Sequence, residues 1–169
     1  MHVINNLTVP NWHLIISDNL LKSTKILLGI ERELMTKLTG KCLCGDITFT
    51  ADGEVPVMAN CHCTACRQST GSAFATLMFI KRADVTVLGK PQTYQHSSDG
   101  GSLMTKHFCG ICGTPMFTEN SSREGMLGLR AGIINEHEEF SPKVNVYVSS
   151  KMRATVLDDE LPAFEKMPG

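Results

Sequence analysis

Seven cysteines fall into three short clusters, and this grouping constrains the chain more than any other feature of its sequence. The clusters are Cys42 with Cys44, Cys61 with Cys63 and Cys66, and Cys109 with Cys112. Spacings of one or two residues let neighbouring thiolates converge on one metal ion with little demand on the backbone. Disulfides alone cannot use an odd number of cysteines. Four plus three sulfurs instead predict two zinc ions per chain, one enclosed by protein and one with an open coordination position.

The size and charge of the chain exclude several classes of protein. Its 169 residues suit one domain with a proper core. A formal net charge of −1 gives no electrostatic basis for binding nucleic acid or an anionic membrane. Apolar runs such as 73–80 are far shorter than the ~20 residues that cross a bilayer. The N-terminal stretch lacks the pattern of a secretory signal, and clustered thiols favour a reducing compartment, so we expect a cytoplasmic protein.

The hydrophobic pattern changes near Met35. Before it, pairs of apolar residues recur every seven positions, at 20–21, 27–28 and 34–35, which predicts a helix. After it, short alternating segments and turn residues predict an all-β domain over residues 35–169. Strands are predicted around 47–51 and at 73–80, 85–88, 93–95, 102–108, 114–118, 126–131 and 144–149, with a turn at 99–101.

Two explanations fit the N-terminal extension, residues 1–34. It is either a helix that packs on the β domain or on a partner, or a segment that precedes a native start at Met35 and comes from an upstream start codon. The sequence leaves both open. Limited proteolysis separates them, because a packed helix resists cleavage and a non-native extension is lost without loss of metal.

Local spacing assigns the seven sulfurs to two metals. Cys61, Cys63 and Cys66 are close enough for one tight loop to direct all three toward one ion. The outer pairs, 42/44 and 109/112, together make a closed four-sulfur site, and adjacent glycines suit N–H groups that hydrogen-bond sulfur. A four-thiolate zinc supplies roughly 10–16 kcal/mol of apparent binding free energy, against a total stability of about 5–15 kcal/mol. We therefore interpret the outer pairs as structural.

The middle cluster predicts thiol chemistry. Three thiolates on one Zn²⁺ leave a net negative charge, so this ion is a weaker Lewis acid than zinc bound by three neutral histidines. An incoming thiol would instead have its pKa lowered from about 8.5 while its sulfur stays nucleophilic. A fourth protein ligand would close the site. The alternatives that the sequence leaves open are solvent, a substrate, or one of four histidines: His62, His107, His96 and His137.

Three stretches resemble the glutathione-dependent formaldehyde-activating enzyme family, which shares its domain with centromere protein V. They are TGKCLCGDITF at 39–49, NCHCTACRQSTG at 60–71 and FCGICGTPMF at 108–117. Weaker similarities lie at 131–133, 146–151 and 159–165, so the likeness spans most of the β region. The chain departs from the common pattern at Asn145, where family members often have histidine, and at Ala154, where they often have tryptophan.

The resemblance implies a β-tent fold, a structural zinc on the outer four cysteines and a second zinc on the middle three. It also implies a carbon–sulfur lyase or synthase that joins glutathione to formaldehyde, with small thiol and aldehyde substrates. Residues that follow the open cluster, Arg67, Gln68 and Ser69, are then candidate contacts for glutathione, and further candidates are Ser72, Lys81, Arg82 and Lys106. Two other functions compete with the enzyme: a non-catalytic zinc scaffold for a partner protein, and a metal or redox buffer.

Overall fold

The computed structural model of the protein describes residues 36–168. The predicted helical extension at 1–34 lies outside these residues. Eleven strands occupy the described part of the chain: β1 Thr36–Lys41, β2 Thr48–Gly53, β3 Val57–Cys61, β4 Ala75–Lys81, β5 Val85–Leu88, β6 Gln92–Ser97, β7 Leu103–Phe108, β8 Pro115–Asn120, β9 Met126–Arg130, β10 Val144–Val146 and β11 Ala163–Phe164.

Helical structure is sparse in the same range. One α-helix, α1, spans Thr64–Thr70. Single 3₁₀ turns occur at Arg82–Asp84, Ser121–Arg123, Ala131–Ile133, His137–Glu139 and Val148–Ser150. Among residues 36–168 no helix has the length and hydrophobicity that spanning a bilayer requires. The prediction of an all-β domain is confirmed.

The strands form two sheets. The smaller sheet has the order β1-β2-β5, and all of its pairs are antiparallel. The larger sheet has the order β11-β10-β3-β4-β9-β8-β7-β6. It is antiparallel except at β10, which runs parallel to both β3 and β11. The parallel pair β3–β10 places Val146 opposite Cys61, so the C-terminal part of the chain borders the middle cysteine cluster.

The core lies where apolar faces of the two sheets meet. In β2 the alternation expected of a half-buried strand is clear, since Phe49 and Ala51 are buried whereas Thr50 is exposed. These side chains belong to the same cluster as Met78 of β4 and Leu129 of β9. Cys42 and Cys109 are fully buried members of that cluster, so the outer cysteine pairs are joined directly to the core.

The predicted strands agree with the structure to within a few residues, and the bounds of β5 match at both ends. Two boundaries differ for local reasons. Strand β4 begins at Ala75 rather than residue 73, because a turn after α1 occupies the residues before it. Strand β10 ends at Val146 rather than 149, because Tyr147 has a left-handed backbone conformation, φ 58°. Strands β1, β3 and β11 and the helix α1 were not predicted.

Candidate metal centres

The outer cysteine pairs meet at one point. Cys42 and Cys44 come from the turn between β1 and β2, and Cys109 and Cys112 from the turn between β7 and β8. All four sulfurs lie within 4.8 Å of one another. The Sγ–Sγ distance is 3.5 Å from Cys42 to Cys44 and 3.7 Å from Cys44 to Cys109. A tetrahedral zinc with Zn–S bonds of about 2.3 Å needs edges of about 3.8 Å, so the four-cysteine cluster fits that ion.

Both turns of the four-cysteine cluster depend on a glycine. Gly45 and Gly113 have φ values of 83° and 73°, a left-handed conformation that side chains disfavour. Each turn is closed by the glycine N–H, which donates to the carbonyl of Cys42 at 3.0 Å or of Cys109 at 2.9 Å. The sequence therefore builds two similar cysteine turns and brings them together through the sheets.

Hydrogen bonds stabilise negative charge on two of these sulfurs, those of Cys42 and Cys112. The backbone N–H of Ile47 donates to Cys42 Sγ at 3.3 Å. The hydroxyl of Thr114 lies 3.1 Å from Cys112 Sγ, and the same oxygen accepts from the N–H of Leu43 at 3.1 Å. Thr114 thus links the two turns. Hydrogen bonds from its side chain and backbone lower the pKa of Cys112 to about 5.

The middle cluster is built differently. Cys61 is the last residue of β3, Cys63 is the N-cap of α1, and Cys66 lies in the first turn of that helix. The three sulfurs are within 4.8 Å of one another. The backbone N–H of Cys66 donates to Cys63 Sγ at 3.3 Å, so the thiol takes the capping role that Ser or Asp often has. The expected tight loop is therefore half helix, which holds two of the three sulfurs rigidly.

The thiols of the three-cysteine cluster have their pKa values shifted in opposite directions. Hydrogen bonds from Cys61 and Cys63 lower the pKa of Cys66 to about 2, and the positive charges of Arg130 and Lys106 add to the effect. The same contacts with Cys63 and Cys66 raise the pKa of Cys61. One sulfur is therefore readily anionic, and deprotonation of all three needs a bound cation. This donor set suits zinc.

His62 is not a ligand of the three-cysteine cluster, although it lies between two of its cysteines in the sequence. Its side chain is 1% exposed, and its Nε2 lies 3.3 Å from Oδ1 of Asn145. The ring also packs on Phe74, with centroids 5.1 Å apart. These contacts hold the ring away from the three sulfurs.

The other candidate histidines are also engaged elsewhere. His107 Nε2 lies 3.0 Å from Glu119 Oε2, and its ring stacks on Phe117. His96 and His137 each contact a backbone carbonyl oxygen near their own position in the chain. Among residues 36–168 no histidine, aspartate or glutamate joins the three sulfurs. The described part of the chain thus offers three candidate ligands at the middle cluster.

A cavity of about 330 Å³ lies beside helix α1. Its polar lining includes Ser69 of the helix, Lys106 and His107 of β7, and Arg130 of β9. Lys106 Nζ donates to the carbonyl of Ala65 at 2.7 Å, and Arg130 Nη2 lies 3.4 Å from Ser69 Oγ. Both cationic side chains therefore contact the helix that carries Cys66.

Comparison with known proteins supports the resemblance that the cysteine stretches indicate. A family model described as "Glutathione-dependent formaldehyde-activating enzyme" matches residues 37–150, more than half of the chain.

This chain belongs to the glutathione-dependent formaldehyde-activating enzyme family.

The family match includes all seven cysteines, both sheets except β11 and part of β1, and the helix α1. A crystal structure of a Rhodobacter sphaeroides protein is similar as well, with a TM-score of 0.48 and 20% sequence identity. That similarity covers 58% of this chain and 88% of the other.

The family resemblance implies glutathione contacts from residues just after the middle cluster. In the structure only one of these three residues lines the cavity beside α1. Ser69 lines the cavity beside α1 and donates to the carbonyl of Cys66 at 3.1 Å. Arg67 is half-buried and its Nη2 reaches Thr64 Oγ1 at 3.4 Å, whereas Gln68 is exposed. Neither of these two lines the cavity. Of the further candidates, Lys106 lines it, and Ser72, Lys81 and Arg82 are exposed at other places.

Two residues of this family domain escaped sequence reasoning. Arg130 is 5% exposed and interrupts an apolar run, MLGLRAGII, which is the signal that could have identified it. Tyr147 packs with Cys61 and Val146, and it is the one non-glycine residue with positive φ in the described range. Strained backbone at the edge of a site is a feature that no sequence pattern reveals.

Proposed function

We propose that this family member is a zinc-dependent carbon–sulfur lyase or synthase that activates a thiol such as glutathione for reaction with formaldehyde or a related small aldehyde. The observation that supports it is the contrast in ligand number: four sulfurs meet in one cluster, and three, without a further protein ligand from residues 36–168, meet in the other. A three-ligand site leaves room for a substrate sulfur.

The residues present fit this role. Cys42, Cys44, Cys109 and Cys112 would hold the structural zinc, and Cys61, Cys63 and Cys66 the second. Zinc on the second set would supply positive charge that lowers the pKa of an arriving thiol. In the proposed reaction the thiol sulfur bonds to the aldehyde carbon, and the thiol proton ends on the aldehyde oxygen. With formaldehyde the product is a hemithioacetal, the S-hydroxymethyl derivative of the thiol, and the lyase direction reverses these steps.

The protein contributes position and charge. Helix α1 fixes Cys63 and Cys66 through the N–H to sulfur hydrogen bond. Leu77, Val146 and Tyr147 pack around Cys61, so one side of the cluster is apolar and shielded from water. Lys106 and Arg130, held against α1, offset the negative charge of a third or fourth sulfur nearby. These features favour a thiolate over a hydroxide as the reacting group.

Metal stoichiometry tests the proposal. The full chain should hold two zinc ions, and glutathione should change the absorption of cobalt in the cobalt-substituted protein because a sulfur joins the coordination shell. The Cys63→Ser variant should lose that change, whereas Thr64→Ala, an exposed neighbour on the same helix, should keep it.

Each result has a contrary outcome. One metal per chain, or a glutathione response that survives in Cys63→Ser, would show that the middle cluster is not the thiol site. In that case the non-catalytic zinc scaffold becomes the better explanation of the cysteine clusters.

A further inference from the structure

Arg130 is a buried cation with unused hydrogen-bond donors. The side chain is 5% exposed at the end of β9. Its Nε and Nη1 atoms are buried and have no acceptor among the described residues. Nη2 has only long contacts of 3.4 Å, to the hydroxyls of Ser69 and Thr118. A guanidinium rarely remains in such surroundings without a partner, because desolvation without hydrogen bonds is costly.

No carboxylate of the described chain supplies that partner. Between residues 36 and 168, the single ion pair within 4.0 Å is His107–Glu119. Lys106 adds a second positive charge near Arg130, and burial lowers its pKa. Its ammonium has one hydrogen bond, to the carbonyl of Ala65, and two donors to spare. The two cations together favour an anion.

The cavity beside α1 is the space in which such an anion would bind. Arg130, Lys106 and Ser69 line it together with the rings of Tyr94, Phe108 and Phe117. Its volume of about 330 Å³ lies within the ordinary range for small-molecule sites. Ser69 donates to the carbonyl of Cys66 and contacts Arg130, so two hydrogen bonds connect the cavity to a cysteine in the first turn of α1.

We propose that Arg130 and Lys106 form a carboxylate subsite that selects thiol substrates bearing an acidic group, an inference that rests on the proposed function of the three-cysteine cluster. The guanidinium matches a planar carboxylate with paired donors, and a lysine nearby adds charge without a fixed geometry. The rings of Phe108 and Phe117 and the side chain of Pro115 on the remaining walls accommodate the carbon chain between the carboxylate and the sulfur. The subsite thus distinguishes mercapto acids from neutral thiols of the same length.

Binding of S-methylglutathione to the full-length protein tests the subsite without involving a free thiol. Titration calorimetry should detect binding to the native protein that weakens with salt. Arg130→Gln should weaken it about 10- to 100-fold, the effect of losing a charged hydrogen-bond partner. Arg123→Gln is the matched control, because this exposed arginine lines a different cavity, of about 250 Å³, and should bind as the native protein does.

Two further variants protect the test against misfolding of Arg130→Gln. Arg130→Lys keeps the charge and should bind with an intermediate affinity. Lys106→Gln removes the charge of a half-buried side chain and should weaken binding by a smaller factor. Unchanged affinity in folded Arg130→Lys and Lys106→Gln would overturn the proposal.

A matched pair of small thiols separates recognition of a carboxylate from recognition of sulfur. The native protein should bind 3-mercaptopropionate more tightly than 3-mercaptopropionamide, and Lys106→Gln should remove the difference. Equal loss for both thiols would mean that the two cations act on the sulfur alone, and the carboxylate subsite would be wrong.

The subsite and the proposed function can fail separately. S-methylglutathione binding that depends on Arg130, combined with no glutathione effect on cobalt absorption, supports the subsite and contradicts the thiol chemistry. A cobalt response to glutathione, combined with no detectable binding of S-methylglutathione to the native protein, supports the thiol chemistry and contradicts the subsite.

Discussion

The two cysteine clusters differ in the number of their sulfurs, in how buried these are and in which parts of the chain supply them. The four-cysteine cluster joins two glycine-containing turns from β1–β2 and β7–β8, and two of its sulfurs are fully buried in the core. The three-cysteine cluster comes from one continuous stretch, with two sulfurs half-buried on a short helix. Beside it lie two cations and a cavity. The two clusters thus differ in the number of sulfurs and in whether they join distant parts of the chain.

The largest expected difference is in stability. Cys109→Ser should leave the chain without a stable fold, because the four-thiolate zinc supplies roughly 10–16 kcal/mol and total stability is about 5–15 kcal/mol. Cys63→Ser should remain folded with one zinc per chain. Thermal unfolding followed by circular dichroism, with zinc analysis, checks both variants. Equal destabilisation by the two substitutions would show that the clusters share the structural role.

Chelation should separate the clusters next. A multidentate chelator is expected to remove one zinc quickly, from the three-cysteine cluster, and the second only slowly, because four sulfurs from two turns must release it. The zinc content is measured against time, and Cys63→Ser identifies the fast fraction by lacking it. Release of both ions at one rate would contradict the assignment of one open and one closed site.

Substitution of one glycine beside each cluster should have a smaller effect on stability, of about the same size at both positions. Gly113→Ala in the four-cysteine cluster and Gly71→Ala at the end of α1 both place a side chain at positive φ, 73° and 66°, with no heavy atom within 4 Å. Each should lower the free energy of unfolding by about 1–2 kcal/mol, the backbone cost alone. Denaturant unfolding measures it. A several-fold larger loss at Gly113 would mean that its turn tolerates no adjustment around the metal.

The smallest expected effect comes from the hydrogen bonds between the carboxylate of Glu136 and Thr39. Glu136 accepts hydrogen bonds of 2.7 Å from both the N–H and the hydroxyl of Thr39 in β1, and these lower its pKa. A lowered pKa in the folded state stabilises the fold above the ordinary glutamate pKa, and this contribution disappears as pH falls through the folded value. Glu136→Gln should therefore lower the melting temperature slightly at neutral pH and flatten its decline toward acid.

The exposed neighbour Glu138 provides the control for that measurement, since Glu138→Gln should leave the melting temperature and its pH dependence unchanged. The same dependence of melting temperature on pH in Glu136→Gln and the native protein would show that the hydrogen bonds from Thr39 to Glu136 do not stabilise the fold.

Strands with clear alternation, such as β2 and β5, and the strand with a continuous apolar run, β4, could be predicted from the sequence. The helix α1 could not, because its seven residues, TACRQST, contain no buried side chain and so no apolar period. Strand β11 has two residues, both exposed, and exists through its parallel pairing with β10. Such short elements depend on neighbours that are distant in the sequence.

The sequence by itself determined which cysteines lie close together within each short stretch, because spacings of one or two residues bring sulfurs together whatever the rest of the chain does. Tertiary structure alone decided that the outer pairs meet, and what surrounds each cluster. Sheet pairing brings Arg130 and Lys106 to the helix that carries Cys66, and it turns His62 toward Asn145. The physical reason is that the geometry within each cysteine turn is set by a few local dihedral angles. The meeting of distant turns and the neighbours of each cluster are set by the sum of many strand pairings and packing contacts across the fold.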